Sequence, residues 1–542
     1  MLRTAVLIAA ALLLSTLAAE APARDDYAAV RAKAFEHAQM AASSPSAVAL
    51  AQSAARLGSR DPALAALIRE RQEAEGRYAA ADAVLAAVRG KTDPISLDRV
   101  KNLGPLVEQE RARLDALDAR LRRDYPAFAE LISPAPLPLQ ETQALLGPDE
   151  ALLLILPTPR GVQLFALRRD RIEWGRGEAT EAEVERLTER LRVAVDPVGA
   201  VRAAQDASGG AGRASEPAGF PRADAYRLYG SVWAPVAGAI GDAETVYVVA
   251  GGALGSLPLS LLVTAPPRGS DLDPSSLRAT PWLIKRHALS SLPSVSSLKA
   301  LRSAAPRAAH EGFAGYGDPV LGDPAAAGAL NPARYVRGSA ADVAALKALP
   351  SLPGTRRELG AMARAFRAPA SAVKTGPAAT ERAVRSDDLS GVSVVAFATH
   401  GLLGGEFAGL AEPALVLTPP ERPSEADDGL LTASEAANLK LSADWVVLSA
   451  CNTAEGGERL SGLTRAFFYA GAKAVLASHW RVRDDAAARL TADALTLYAR
   501  KPEIGRAQAL RRAALKLMAD RSDPFFASPA AWAPFVVIGD GR

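Results

Sequence analysis

Cysteine is almost absent from this chain, which carries a single one, Cys451, in 542 residues. An internal disulfide is thereby excluded, and a lone thiol is either a buried filler or a reactive group. Histidine is scarce too, five in all, and the scattered positions show no ligand spacing, so no metal site is expected. Charge of neither sign dominates: Lys+Arg 63 against Asp+Glu 60 leaves a net +3, too little for a basic field that would recruit nucleic acid. Aromatics make up only 5%, and alanine leads the apolar residues, a composition suited to tightly packed helices around an α/β core. After the first residues no apolar run approaches the roughly 20 that a membrane-spanning helix needs. No clean repeat with a period of about 34 residues is found, so the chain shows no tetratricopeptide array. No cofactor is expected.

What is present begins with MLRTAVLIAAALLLSTLAAEAPA: a positive charge at Arg3, an apolar run from Ala5 to Leu14, and small residues at Ala21-Pro22-Ala23. This pattern is that of a secretory signal peptide over residues 1–23, which predicts an exported protein, periplasmic or extracellular. Residues 24–135 carry helical periodicity, with N-caps at Ser46 and Asp61 and Leu114, Leu117 and Leu121 at spacings of three and four. They predict a long α-helical hairpin, either an arm for a protein partner or a packing platform. Beyond the proline-rich joint Ser133 to Leu139, residues 139–300 read as a first α/β half. It opens with a β-hairpin (ALLLILPT, then VQLFALRR), continues with a polar helix over Glu181 to Val195, and holds the strand TVYVVAGG. That strand echoes a later one, VVAFATHG, with Ala250 and Gly251 where the later copy has Thr399 and His400. A degenerate half of an internal duplication and a chance likeness of two buried strands both fit. Residues 310–542 form a second α/β unit.

The centre of that unit is a pair of apolar, β-branched runs, VVAFATHG (Val394 to Gly401) and WVVLSACNT (Trp445 to Thr453). Each reads as a buried strand that ends on a residue able to do chemistry at neutral pH, His400 in one and Cys451 in the other. Ligands of open α/β sheets bind beyond the carboxyl ends of the strands, so two such strands side by side bring an imidazole to a thiol. The separation, 451 − 400 = 51 residues, accommodates the crossover that a parallel pair requires. Gly401, Gly404 and Gly405 keep the chain after His400 free of bulk. A helix following Cys451 would favour the thiolate by its dipole. Between the strands, the polar stretch Pro419 to Gly429 is suited to a lid or a cleavage loop, and LLTASEAANL to a capped helix.

A lone cysteine or histidine at a strand end is, singly, more often structural; it is the joint placement that points to a nucleophile and its base. His479 ends a strand as well and is a rival base, without a following glycine; His37, His287 and His310 have no partner pattern. Thiol amidotransferases and α/β hydrolases also use strand-end nucleophiles, but their elbow needs glycines where this chain has Ser449 and Thr453. A non-enzymatic scaffold or sensor, acting through the helical arm, is the alternative from another class.

The stretches VVAFATHG, DGLLTASE, VVLSACNTAEG, LTRAFFYAGAKAVLASHWRVRDDAA and WAPFVVIGD, in this order, resemble the CHAT peptidases, caspase-like relatives of gingipains and separases. The resemblance implies an α/β fold with a caspase-like, mostly parallel sheet flanked by helices, and a cysteine endopeptidase acting on protein or peptide substrates. It implies His400 and Cys451 as the catalytic dyad. Backbone N–H groups of Gly401 and Cys451 are the expected oxyanion donors. The strand over Ser478 to Arg481 resembles the one that pairs with substrate in caspases, which implies Trp480 as a lining of the cleft; a tryptophan capping the core edge is the other reading of that position. In separases a tryptophan strand runs into an acidic loop and cleavage follows arginine, which implies Asp484 as the base of a pocket for Arg or Lys. Arg481, Arg483 and Asp485 lie in the same loop, and Asp484 and Asp485 are also good starts for the helix that follows.

Overall fold

The computed structural model describes residues 24–42, 94–124, 136–196, 219–303, 312–322, 349–402, 413–424, 427–449, 461–480 and 482–542, with scattered positions in 67–85 and 336–347. Cys451, the leader over residues 1–23, Gly404, Gly405, His310 and Arg481 fall outside them.

Two compact units divide the chain, one lying within Val48–Ala135 and the other containing the remaining described elements. The larger unit includes α1 (Arg24–Ala42). Phe35 of α1 meets Phe165 at 5.9 Å between ring centroids, and the Gln39 amide exchanges two 2.9 Å hydrogen bonds with the backbone of Leu137. In the smaller unit, α2 (Pro94–Asp124) packs against helical positions between Leu67 and Leu85. Tyr78, Ala81, Leu85 and Val107 form its core. From Arg71 to Arg77 the ion-pair partners on α2 retreat from Asp118 to Glu110, so these helical positions run antiparallel to α2, in keeping with a helical hairpin.

In the larger unit, α3 (Leu139–Leu145) leads to the hairpin of β1 (Glu150–Thr158) and β2 (Gly161–Leu167), followed by β3 (Ile172–Gly177). Gly161 has φ +130°, and a Cβ there would stand 2.6 Å from the Gly177 carbonyl, so this turn requires glycine. The polar helix is α4 (Glu181–Val195), with Thr180 capping Glu183 N–H and Val184, Leu187, Leu191 and Val195 turned inward. Next come α5 (Arg222–Val232), β4 (Thr245–Ala250), β5 (Ala288–Ser291) and α6 (Val295–Ser303). The second half contains β6 (Phe313–Pro319), α7 (Pro353–Ala365), β7 (Val373–Gly376), α8 (Glu381–Ser386) and β8 (Val394–Ala398). It continues with β9 (Gly401–Leu402), β10 (Ala414–Val416), β11 (Leu430–Thr432), α9 (Ala433–Ala437) and β12 (Trp445–Ser449). The chain closes with α10 (Ser461–Ala470), β13 (Ala474–Ser478), α11 (Asp484–Arg500), α12 (Arg506–Ala519) and β14 (Phe535–Gly539).

Among the described residues the main sheet has 11 strands in the order β3-β2-β1-β4-β5-β14-β13-β12-β8-β6-β7. It is mostly parallel and flanked by helices, the fold class that the sequence leads one to expect. The strand bearing His400 lies directly beside the strand leading to Cys451, in parallel, with Ala398 level with Ser449. β14 lies between β5 and β13, so both α/β halves share one sheet and one core. At that seam Arg302, Glu150, Tyr247, Asp540 and Arg506 form a buried ionic cluster.

Two details differ from the sequence reading. LLTASEAANL is not helical throughout: Leu430–Thr432 form β11, and Thr432 is the cap of a short helix, closed by a capping box with Glu435. Helix α11, expected from the sequence to begin near Ala486, starts at Asp484, so both aspartates stand in its first turn, where negative charge suits the helix dipole.

Candidate functional site

His400 follows β8, whose five residues VVAFA are all buried, so the strand end is held from every side. The Thr399 hydroxyl donates to the Val416 carbonyl, and the His400 carbonyl accepts from Val416 N–H at 2.9 Å, fixing the backbone on both sides of the turn. The imidazole is 8% exposed, and its Nε2 lies 2.8 Å from the carbonyl oxygen of Pro350, in the segment entering α7. A carbonyl only accepts, so in the neutral ring the proton is on Nε2 and the lone pair is on Nδ1. Sequence reasoning assigns no third group to the site, and a backbone carbonyl leaves no signal that could have revealed one.

The Ala398–Ser449 pair ends the ladder between β8 and β12. His400 comes two residues after the first and Cys451 two after the second. Gly401 faces Leu415 across β9 and β10, and the Val416-to-His400 hydrogen bond makes this a non-hydrogen-bonded pair, so Gly401 N–H is turned away from the ladder.

The other histidines sort by environment. His479, the rival base, is buried, its Nδ1 has no hydrogen-bond partner among the described residues, and burial pushes its pKa down to about 3. Such a ring stays neutral and takes no proton near pH 7. His287 is likewise buried and bonds the Ala243 carbonyl at 2.6 Å, a structural role, and His37 is exposed.

Trp480, expected in the cleft, is 2% exposed and belongs to the core, its indole N–H donated to the Ala530 carbonyl at 3.1 Å. Asp484 is exposed, with no ion-pair partner among the described residues. The neighbouring Arg483 is fully engaged elsewhere: its guanidinium meets Asp485 at 2.6 and 2.8 Å and Asp523 at 2.6 Å, and lies over the rings of Phe525 and Phe526. Those two carboxylates hold the Arg483 pKa above its usual range.

One group near the nucleophile's strand escapes sequence reading. Glu358, on α7, is 4% exposed; it lies 2.6 Å from the Thr491 hydroxyl of α11 and is hydrogen-bonded by the Ser449 hydroxyl at the end of β12. Burial pushes its pKa up to about 7, with a smaller push from Asp484, against the lowering effect of the two hydroxyls. Its only sequence signal would have been a Glu on the apolar face of α7, beside Leu359 and Met362. A second buried carboxyl, Glu381, is also raised, first by burial and then by the charge of Glu435. It accepts Asp428 N–H at 3.0 Å and so anchors the base of the Pro419 to Gly429 excursion.

The CHAT domain family matches residues 222–540, more than half of the chain. The chain belongs to the CHAT domain family. No curated protein matches it. Among solved structures, it is similar to the Arg-specific cysteine proteinase gingipain R at 11% identity and a TM-score of 0.31, covering 59% of this chain and 66% of that one. It is also similar to the separase of the Saccharomyces cerevisiae separase–securin complex at 10% identity and a TM-score of 0.38, covering 84% of this chain and 35% of that one. The CHAT region thus holds every described site residue, and the chain spans 66% of the gingipain and 35% of the separase that it is compared with. Among the described residues no helix is long and apolar enough to cross a membrane.

Proposed function

We propose that this CHAT protein is an exported cysteine endopeptidase that hydrolyses peptide bonds in protein substrates through Cys451 and His400. The observation that carries the reading is the register of β8 with β12: Ala398 and Ser449 are level, and each is followed two residues later by one member of the pair. The Pro350 carbonyl on Nε2 supports it further, because it orients the ring and stabilises the imidazolium once formed. In the proposed reaction the Cys451 thiolate attacks the scissile carbonyl, the bond to nitrogen breaks, and imidazolium His400 protonates the leaving amine. Water, deprotonated by His400, then attacks the thioester and releases the acid and the free thiol. Gly401 N–H, turned off the ladder, and Cys451 N–H are the proposed oxyanion donors.

For the substrate side chain, Asp484 is the proposed carboxylate, since Arg483 is held by Asp485 and Asp523 and does not neutralise it. Trp480 acts from below, anchoring the end of β13 through Ala530, so that backbone meets the substrate. The helical unit within Val48–Ala135 is a compact body of its own. It favours a protein partner there, and a scaffold without turnover is the competing reading.

The test is purified chain incubated with a denatured proteome, with new termini sequenced. Cys451→Ala and His400→Ala each abolish cleavage while leaving the thermal unfolding midpoint nearly unchanged; wild-type turnover in Cys451→Ala would sink the dyad. Mass spectrometry of the protein from its native compartment is expected to find a start near Arg24, and an intact Met1 there overturns export.

A further inference from the structure

Glu358 has no place in the dyad chemistry, yet it sits where three parts of the proposed site meet. It belongs to α7, which begins just after the Pro350 carbonyl that holds His400. Its hydroxyl partners are Ser449, two residues before Cys451, and Thr491 of α11, the helix whose first residue is Asp484. α7 can lie this close to the sheet because β6 offers it glycines. A Cβ on Gly317 would stand 2.9 Å from Leu359 and 2.3 Å from the Ala398 carbonyl, next to the His400 turn.

The surroundings favour a neutral carboxylic acid, because the carboxyl is buried and its hydrogen-bond partners among the described residues are uncharged hydroxyls. The Thr491 hydroxyl donates at 2.6 Å to Glu358, with the Ala487 and Ala488 carbonyls farther off at 2.9 and 3.5 Å. Among the described residues no cation answers the carboxyl. On the elements packed around it, Asp318 is paired with Arg356, Lys374 with Asp387 and Tyr316 with Asp387. The charge that reaches Glu358 is that of Asp484, which opposes ionisation.

We propose that Glu358 is a positioning residue of the cysteine site: as a neutral acid it fastens the end of β12 to α7 and α11, and its ionisation loosens the approach to Cys451. An ionised Glu358 is an uncompensated buried charge, which is relieved only if the groups around it part and admit water. The inference rests on the dyad reading above and is tested separately from it.

Because Cys451 is the only cysteine, its alkylation by iodoacetamide reports on the site without any substrate. Rates are measured on the full chain from about pH 5.5 to 9, for wild type, Glu358→Gln, Asp484→Asn and His400→Ala. In wild type an inflection near neutrality is expected, above which labelling lags behind thiolate formation. Glu358→Gln, which keeps the shape and cannot ionise, is expected to lose that inflection and to label several-fold faster at the alkaline end. Asp484→Asn is expected to move the inflection to lower pH, because one opposing charge is gone. A merely structural Glu358 would shift the unfolding midpoint and leave the profile's shape alone. A Glu358→Gln profile superimposable on wild type overturns the proposal. If that variant does not fold, an inflection unmoved in Asp484→Asn does the same. Unchanged labelling in His400→Ala instead removes the dyad reading, while the Glu358→Gln comparison still reads the positioning of Cys451.

Discussion

At the scale of the residue, environment distinguishes side chains that the sequence makes look equivalent. His400 and His479 both end buried strands, but one holds a carbonyl on Nε2 and the other is sealed with an unpartnered Nδ1. Asp484 and Asp485 are adjacent, yet Asp485 is bound to Arg483, which holds its pKa below the usual carboxylate range, and Asp484 is exposed. The specificity prediction follows from that difference. Cleavage after Arg or Lys is expected to be weakened by Asp484→Asn far more than by Asp485→Asn. Removing Asp485 still leaves Arg483 bound to Asp523 and stacked on Phe525 and Phe526. Peptide-library profiling with the two variants checks this; a preference for Asp or apolar residues at the cleaved position rules it out. The histidine and glycine of the site are legible in sequence because each punctuates an apolar run. The Pro350 carbonyl and the burial of Trp480 are not, since both depend on how distant segments pack.

Among the elements, the strands and the polar helix Glu181–Val195 were legible from periodicity and capping alone. What eluded pattern reading was any element whose boundary is set by a neighbour: β11 exists because β10 lies beside it, and α11 starts early because Arg483 adopts extended backbone before it. α7 illustrates the energetic consequence of packing a charged residue type inward. The folded-state pKa of Glu358, about 7, stands above the ordinary 4.5, so the folded form binds a proton that the unfolded form has released. The stability linked to that proton is full below the unfolded value and is lost as pH rises through the folded one, about 3 kcal/mol in all at 1.36 kcal/mol per unit. Urea unfolding of Glu358→Gln is therefore expected to lack the wild-type decline between roughly pH 4.5 and 7. Equal slopes in the two proteins would show that Glu358 is ionised in the native state.

At the scale of the whole molecule, the two α/β halves are bound by the seam at β5 and β14 and by its ionic cluster. Burial alone would raise Asp540, but Arg506, Arg302 and Arg542 together hold its pKa below the usual value. The stability this provides is present above the unfolded carboxylate pKa and fades as pH falls through the folded one. Asp540→Asn leaves buried arginines without their counter-charge and is expected to cost about 3–5 kcal/mol, measured as a drop in the urea midpoint. A loss below about 1 kcal/mol would mean that the cluster is a solvated pair.

The place of β14 also fixes an order of events during synthesis. In chain order it is the last strand of the sheet, yet it lies in the middle, between β5 and β13. A nascent chain can assemble β1 to β5 and most of the second half while the two remain unjoined. Pairing across the longest sequence separations comes at the end, when β14 emerges. Until β14 inserts between them, β5 and β13 are two open sheet edges that invite wrong pairing.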